Sequence, residues 1–99
     1  MKRTVEVKKL ASDHLGEAFF WYESQCMGLG FEFLDEWEAV LEYVSEFPES
    51  CQKRYKEFRQ AKLKRFPYLI IYECSKEKLV VFNVINARRN PSKRYKRKA

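Results

Sequence analysis

The sequence predicts an α+β fold in which an antiparallel sheet packs against an N-terminal helical hairpin, with elements in the order β-α-α-β-β-β. Three observations support this prediction. After a short alternating segment, apolar residues recur at helical spacing up to Pro48. Beyond Pro48 the apolar period changes from about 3.6 residues to about 2, which is the spacing of a strand. The last two strands are apolar on both faces, which is typical of central strands in a covered sheet.

The first two elements are a short strand and a helix. Val5 and Val7 alternate with polar residues, as expected for a strand with one apolar face. Ser12 or Asp13 then offers an N-cap for a helix that ends around Cys26. The apolar residues of this helix recur at helical spacing: Leu15, Ala18, Phe19 and Tyr22.

The second helix begins near Leu29 or Phe31, directly after a turn that contains Gly28 and Gly30. Pro48 ends it, because proline lacks the backbone donor and clashes with the preceding turn. One stripe of this helix is apolar: Leu34, Trp37, Leu41 and Val44. Two helices joined by a short glycine turn form an antiparallel hairpin.

Three strands follow the hairpin. In residues 55–65, Ala61 and Leu63 share one face, whereas Phe58 has the opposite parity. We therefore expect a loop or bulge between Phe58 and Ala61. The other two strands span residues 68–74 and 79–85, with a turn between them.

Length and composition predict one domain over residues 1–99, with a basic, mobile tail from about residue 92. No apolar run reaches the roughly 18 residues of a membrane span, and the N-terminus lacks the apolar segment of a signal peptide. The three cysteines are widely spaced and odd in number, which favours reduced thiols in a cytoplasmic protein. We expect no metal site, no cofactor and no membrane partner.

Charge is divided unevenly along the chain. Residues 53–99 contain 16 Lys and Arg and three acidic residues, a formal charge of +13. Residues 1–52 contain four basic and 11 acidic residues, a formal charge of −7, and the whole chain carries +6. If folding gathers the C-terminal cations on one surface, that surface attracts a polyanion or an acidic protein. The predicted contact residues for such a partner are Lys64, Arg65, Arg88 and Arg94.

Five short motifs occur in order along nearly the whole chain, roughly residues 3 to 95. They are Gly28-Leu29-Gly30 with Phe33-Leu34-Asp35, Phe47-Pro48-Glu49, Arg65-Phe66-Pro67-Tyr68, Ile70-Ile71-Tyr72 and Arg88-Arg89-Asn90-Pro91. Together they resemble the RelE/ParE toxins of bacterial type II toxin–antitoxin systems, of the plasmid stabilisation type. The resemblance implies a growth-inhibitory toxin that a cognate antitoxin neutralises, within a homodimer or a heterotetramer with the antitoxin.

The resemblance leaves two activities open, because one branch of the family cleaves messenger RNA in the ribosome and the other poisons DNA gyrase. In the nuclease branch, the matching catalytic residues here are Lys62, Arg89 and Tyr95. They would act as base, phosphate ligand, and stacking group or acid in a metal-independent endoribonuclease.

Two departures from the nuclease pattern favour the gyrase activity slightly. Leu69 stands where that branch has a phosphate-stabilising arginine, and Gln60 where a second lysine is common. The corner Phe66-Pro67-Tyr68 also resembles ParE-type members more closely. A further alternative is an inactive homologue that keeps the fold and the antitoxin but not the toxicity.

Four consecutive aromatic residues, Phe19 to Tyr22, cannot all point into one core at about 100° per residue. At least one should lie at the edge of the hairpin, where Phe20 and Trp21 are the predicted antitoxin contacts. His14 is interpreted as a surface residue without chemistry.

Overall fold

A computed structural model of the chain describes residues 3–88. The elements are β1 (Thr4–Val7), α1 (Lys9–Gln25), α2 (Leu29–Glu46), a 3-10 turn (Pro48–Ser50), β2 (Lys53–Tyr55), β3 (Phe58–Lys62), β4 (Tyr68–Cys74) and β5 (Lys78–Asn86). The α+β class and the hairpin that ends before Pro48 are confirmed. The tail predicted from about residue 92 lies outside the described residues.

The five strands form one mixed sheet in the order β1-β5-β4-β3-β2. The pairs β3–β4 and β4–β5 are antiparallel, as predicted. Strand β2, which was not predicted as a separate strand, pairs antiparallel with β3. Strand β1 instead lies parallel to β5, with Val5 beside Leu79 and Val7 beside Val81. Between these two neighbours the chain makes the helical hairpin and the other strands, which is the kind of long connection that a parallel pair needs.

Helix α1 begins earlier than predicted. Its N-cap residue is Lys8, which makes no side-chain capping hydrogen bond, so the expected cap at Ser12 or Asp13 is wrong. Asp13 instead lies inside the first turns, where its Oδ2 accepts a hydrogen bond from Lys9 Nζ at 3.0 Å. The Lys8 backbone N–H donates to the Val81 carbonyl oxygen at 2.9 Å. This bond ties the end of β1 to β5, so the chain passes from strand to helix without a loop.

The expected loop or bulge between Phe58 and Ala61 is also wrong. The turn lies before Phe58, at Lys56 and Glu57, and Lys56 adopts a positive φ of 51° there. From Phe58 to Lys62 the chain is one strand, and Phe58 and Ala61 lie on opposite faces of the sheet. Phe58 and Ala61 therefore differ in parity because the sheet buries apolar side chains on both of its faces.

Each face of the sheet has its own apolar cluster. On the helix face, α1 and α2 cover a cluster that contains Ala61, Leu63, Ile70, Tyr72, Leu79, Val81 and Val84. On the other face, here called the back face, Phe58, Leu69 and Ile71 are buried with Phe82 and Ile85 beside them. The rings of Phe58 and Phe82 stand 5.0 Å apart, one from β3 and one from β5. Since β4 runs between those strands, the two rings shield Ile71, which is fully buried.

The turn between the helices is held by one side chain. Gly28 has a φ of 89°, the left-handed conformation that glycine adopts without strain. The Glu23 carboxylate accepts hydrogen bonds from the backbone N–H groups of Gly28 and Gly30, at 2.9 and 2.8 Å. Glu23 thus satisfies donors at the start of α2 that have no partner within the helix.

A pH-dependent contribution to stability is expected from Glu6 in the edge strand β1. The carboxylate of Glu6 binds the ammonium groups of Lys78 and Lys8, which lower its pKa to about 2. A lowered pKa in the folded state stabilises the protein above the ordinary pKa of 4.5, and this stabilisation is lost as the pH falls toward 2. Glu6→Gln should therefore lower the urea midpoint at pH 6 and lower it much less at pH 2.5.

The control for this measurement is Glu77→Gln, in the exposed turn before β5. An equal decrease in the urea midpoint of Glu6→Gln at both pH values would show that the charge of the Glu6 carboxylate contributes nothing to stability.

Candidate functional surfaces

Strand β3 places Lys62 on the back face of the sheet, beside apolar residues. Lys62 is exposed and pairs in register with Leu69 of β4, which in turn pairs with Ile85 of β5. Leu69 is only 7% exposed and belongs to the back-face cluster. The nearest cross-strand neighbours of the predicted base are therefore apolar. The other two predicted nuclease residues, Arg89 and Tyr95, lie outside the described residues.

A groove of about 860 Å³ separates α2 from β3, and its rim carries both signs of charge. Basic side chains on the rim are Lys62, Lys64 and Arg65; acidic ones are Glu32, Asp35 and Glu36. Arg65 Nη2 lies 2.8 Å from Glu32 Oε1, and the Arg65 backbone N–H donates to Glu36 Oε1 at 3.0 Å. Arg65 is thus bound to the acidic helix, and this surface is mixed in charge.

Arg88 lies in a different groove, here called the α1–β5 groove. This groove has a volume of about 490 Å³ and lies between α1 and the end of β5. Of the predicted contact residues for an acidic partner, the structure brings Lys64 and Arg65 together but not Arg88, and Arg94 lies outside residues 3–88. Between the two grooves, Tyr22 and Phe66 pack edge to face at 4.8 Å.

The four consecutive aromatic residues in α1 differ in exposure, as their helical spacing predicts. Phe20 is 71% exposed and Trp21 is 57% exposed, whereas Phe19 and Tyr22 are half-buried. Phe19 contacts the rings of both Phe20 and Phe31, which forms an apolar patch near the hairpin turn. Trp21 does not belong to this patch and instead lines the α1–β5 groove. The two predicted antitoxin contacts therefore belong to two different surfaces.

His14, interpreted from its sequence position as a surface residue without chemistry, is half-buried and has a defined partner in the α1–β5 groove. Its Nδ1 lies 2.6 Å from the side-chain oxygen of Asn83, which is only 5% exposed. The same oxygen accepts a hydrogen bond from the Val84 backbone N–H at 2.9 Å. One feature of the sequence points to this arrangement, since Asn83 is the single polar residue within the apolar run from Leu79 to Ile85.

Two tyrosines near the grooves stay in their neutral form. Burial raises the pKa of Tyr22, against the smaller opposing effect of the Arg88 guanidinium. Burial raises the pKa of Tyr72 far more strongly, and its hydroxyl donates a hydrogen bond to the Pro48 carbonyl oxygen at 2.8 Å. Neither tyrosine hydroxyl is therefore suited to act as a general base.

Within residues 3–88, no group of three or more His, Cys, Asp or Glu side chains is placed to hold a metal ion. In the same part of the chain, neither helix is long and apolar enough to cross a membrane.

A helical hairpin packed on one face of a sheet is the architecture that the resemblance to RelE/ParE toxins implied. The family model described as "ParE toxin of type II toxin-antitoxin system, parDE" matches residues 5–91. The chain therefore belongs to the ParE toxin family of type II toxin–antitoxin systems.

The fold is similar to that of a solved structure titled "Chromosomal ParDE TA system from P. aeruginosa". The TM-score is 0.73 at 10% sequence identity, over 88% of this chain and 98% of that chain. At this identity the likeness shows a shared fold. Among curated proteins, no sequence matches this chain.

Proposed function

We propose that this protein is the toxin of a type II toxin–antitoxin pair that arrests growth by binding DNA gyrase, without cleaving RNA. The single observation that carries the mechanism is the apolar surface around Lys62 on the back face. Membership of the ParE family supports a cognate antitoxin as the partner. We place both proteins in the cytoplasm, where gyrase and DNA are found.

Cleavage of RNA by its own 2′-hydroxyl needs a base, an acid and cations that stabilise the charge developing on phosphorus. On the back face, Lys62 of β3, Leu69 of β4 and Ile85 of β5 lie side by side across the sheet. The rings of Phe58 and Phe82 cover the middle strand, β4. Loss of one charge-stabilising donor costs about 2.7–4 kcal/mol of transition-state stabilisation in a well-studied protease. The absence of a cation at Leu69 therefore weakens any nuclease chemistry at Lys62.

The second candidate is a ribosome-dependent messenger RNA endoribonuclease that uses Lys62, Arg89 and Tyr95. The observation in its favour is that Lys62 is exposed on a strand and free to approach a phosphate. In that mechanism Lys62 acts as the base that accepts the proton of the attacking 2′-hydroxyl.

The Lys62→Ala variant separates the two candidates. Under the gyrase mechanism it should arrest growth as strongly as the natural chain, because no catalytic step depends on an amine at this position. The measurement is growth after expression without the antitoxin, together with mapped messenger RNA ends and trapped gyrase–DNA cleavage complexes in the same cells.

Lys76→Ala is the matched control, because Lys76 is also exposed but lies in the turn between β4 and β5. Codon-phased cuts in messenger RNA that disappear in Lys62→Ala, but not in Lys76→Ala, would replace the gyrase proposal with the nuclease. Intact transcripts with no gyrase complexes and no growth arrest would indicate an inactive homologue.

The antitoxin is proposed to contact two kinds of surface. Its apolar residues would cover the patch around Phe20, and its acidic residues would face exposed cations such as Lys64. Surface charge attraction is screened by salt, so the complex should weaken as ionic strength rises.

A further inference from the structure

We infer that the hairpin formed by β2 and β3 is a binding site for the phosphate backbone of duplex DNA. This hairpin, here called the β2–β3 hairpin, spans residues 53–62 and lies at the edge of the sheet opposite β1. The inference deepens the proposed function and rests on it for the choice of DNA, because a toxin that traps a gyrase–DNA complex acts beside DNA. The residues that carry the site, Arg54, Tyr55 and Lys56, belong to neither of the two grooves.

The β2–β3 hairpin is strongly basic. Its ten residues include one acidic residue and five basic ones, a formal charge of +4. The tetrapeptide Lys-Arg-Tyr-Lys begins the hairpin at residues 53–56 and occurs again at residues 93–96, which lie outside the described residues. Basic residues that flank an aromatic one are typical of surfaces that bind nucleic acid.

The unpaired charge of the hairpin belongs to Arg54 and Lys56. All three residues of β2 are exposed, as are both residues of the turn that follows. Lys53 Nζ lies 2.7 Å from Glu57 Oε2, and this hydrogen bond lowers the pKa of the Glu57 carboxyl, which therefore stays ionised and holds Lys53. By contrast, the side chains of Arg54 and Lys56 make no hydrogen bond or ion pair with any residue between positions 3 and 88. These two cations are therefore available to an anion.

Lys56 occupies a position where glycine is the usual residue. It is the first residue of a two-residue hairpin loop, and its φ of 51° is left-handed. Residues other than glycine are strained in this conformation, and such residues occur preferentially at functional sites. The Lys56 ammonium lies 5.3 Å from the centre of the exposed Tyr55 ring. This cation–π contact positions the ammonium group at the tip of the hairpin.

The chemistry of this edge suits a polyanion better than a protein. Protein interfaces depend on aromatic or apolar anchors that become fully buried at the centre of the contact. The edge offers one ring, Tyr55, which is 44% exposed and has Lys56 over its face. DNA needs no such anchor, because its binding is driven by the counterions that bound cations release. Lysine on an edge strand also prevents pairing between sheets, but that role requires neither the tyrosine nor a lysine at positive φ.

The dimensions of the hairpin favour duplex DNA. At about 3.4 Å per residue, residues 53–56 extend over at most about 10 Å. Duplex DNA carries one phosphate charge per about 1.7 Å of its axis, so this length presents about six phosphates to the two available cations. A two-stranded ribbon also fits the major groove of DNA, whereas the major groove of duplex RNA is too narrow for side chains to enter.

The test uses the full chain without antitoxin and a DNA duplex of about 20 base pairs and arbitrary sequence, with affinity measured by fluorescence anisotropy. Arg54→Ala should weaken binding about tenfold at 50 mM salt and about threefold at 200 mM, because each lost phosphate contact lowers the salt slope by about 0.9. Lys56→Gly should weaken binding similarly without lowering the urea midpoint, since glycine adopts a positive φ without strain. Glu57→Gln should strengthen binding, because it releases Lys53.

Lys9→Ala is the matched control, because it removes one cation from the first turn of α1, next to the opposite edge strand. It should change the affinity for DNA by less than about twofold. Affinities of Arg54→Ala and Lys56→Gly equal to that of the natural chain would overturn the assignment, since the attraction would then come from another part of the chain. Tighter binding of duplex RNA, or of polyglutamate at equal charge, would overturn the choice of DNA.

The same variants separate this inference from the proposed function. Where both hold, Arg54→Ala should trap fewer gyrase–DNA complexes in cells than Lys9→Ala does. If the natural chain traps these complexes and Arg54→Ala binds DNA as tightly as the natural chain, the hairpin assignment alone is overturned. If the natural chain traps no complexes but Arg54→Ala still loses affinity for DNA, the proposed function is overturned and the DNA site on the hairpin stands.

Discussion

Replacing Phe33 with alanine is expected to lower the free energy of unfolding by about 3–5 kcal/mol. The Phe33 side chain is fully buried in α2. Its ring lies 5.4 Å from Tyr22, 5.3 Å from Phe66 and 5.2 Å from Tyr68. These partners come from α1, the loop before β4, and β4 itself, so a cavity at Phe33 removes contacts from both layers of the fold at once.

The matched control is Phe31→Ala, two residues earlier in the same helix. Phe31 is 58% exposed and makes an edge-to-face contact with Phe19, so its loss should cost no more than about 1.5 kcal/mol. Urea unfolding followed through the buried Trp37 measures both variants. Equal losses for the two substitutions would show that the aromatic cluster around Phe33 does not hold the hairpin to the sheet.

The same aromatic cluster has a functional consequence, because it separates the two grooves. On one side the Arg65 guanidinium lies over the Phe66 ring at 5.2 Å. On the other side Tyr22 and Tyr68 line the α1–β5 groove beside Arg88. A cavity at Phe33 would therefore disturb both candidate partner surfaces, and loss of antitoxin binding in this variant would say nothing about either groove alone.

Much of the fold could be predicted because local chemistry determines it. The bounds predicted for β4, residues 68–74, are those observed, since a proline precedes the strand and a turn follows it. The hairpin turn follows from Gly28, whose left-handed backbone other residues rarely adopt. The parallel position of β1 could not be predicted, because the alternation of Val5 and Val7 shows which residues share a face but not which strand lies beside them.

The candidate sites were less predictable because they depend on contacts between distant residues. Leu69 could be identified from the sequence as a departure from the nuclease pattern, and the register with Lys62 supports that interpretation. The ion pair between Arg65 and Glu32 could not be foreseen, since it depends on how α2 crosses the sheet. Predicting one continuous basic surface from charge counts alone ignored this pairing.

A bulge in β5 reverses the side-chain alternation toward the end of that strand. The β4–β5 register shifts between Ile71 and Tyr72, where β5 has one extra residue. Because of this residue, Val84 lies on the helix face and Ile85 on the back face, the reverse of what strict alternation from Leu79 gives. No apolar pattern distinguishes the two arrangements when both faces are apolar.

Gly30→Ala is expected to destabilise the protein by about 1–3 kcal/mol, although alanine normally favours a helix. A Cβ atom at Gly30 would lie 2.7 Å from the Phe19 carbonyl oxygen and 2.9 Å from Phe19 Cδ1. The first of these is a backbone atom of α1, so the clash can be relieved only by moving the helices apart. That movement would also stretch the hydrogen bond from the Gly30 N–H to Glu23.

The same substitution at Gly16 should have the opposite sign. Gly16 lies within α1, and a Cβ atom there would meet nothing within 4 Å. Gly16→Ala should therefore raise the free energy of unfolding by about 0.5–1 kcal/mol through helix propensity and the smaller entropy of the unfolded chain. Urea midpoints for the two variants measure this difference directly. If Gly30→Ala stabilised the protein as much as Gly16→Ala, the two helices would not be as closely packed at the hairpin turn as the Phe19 contact indicates. The exposed patch around Phe20 would then lie on two helices that are packed more loosely than the structure shows.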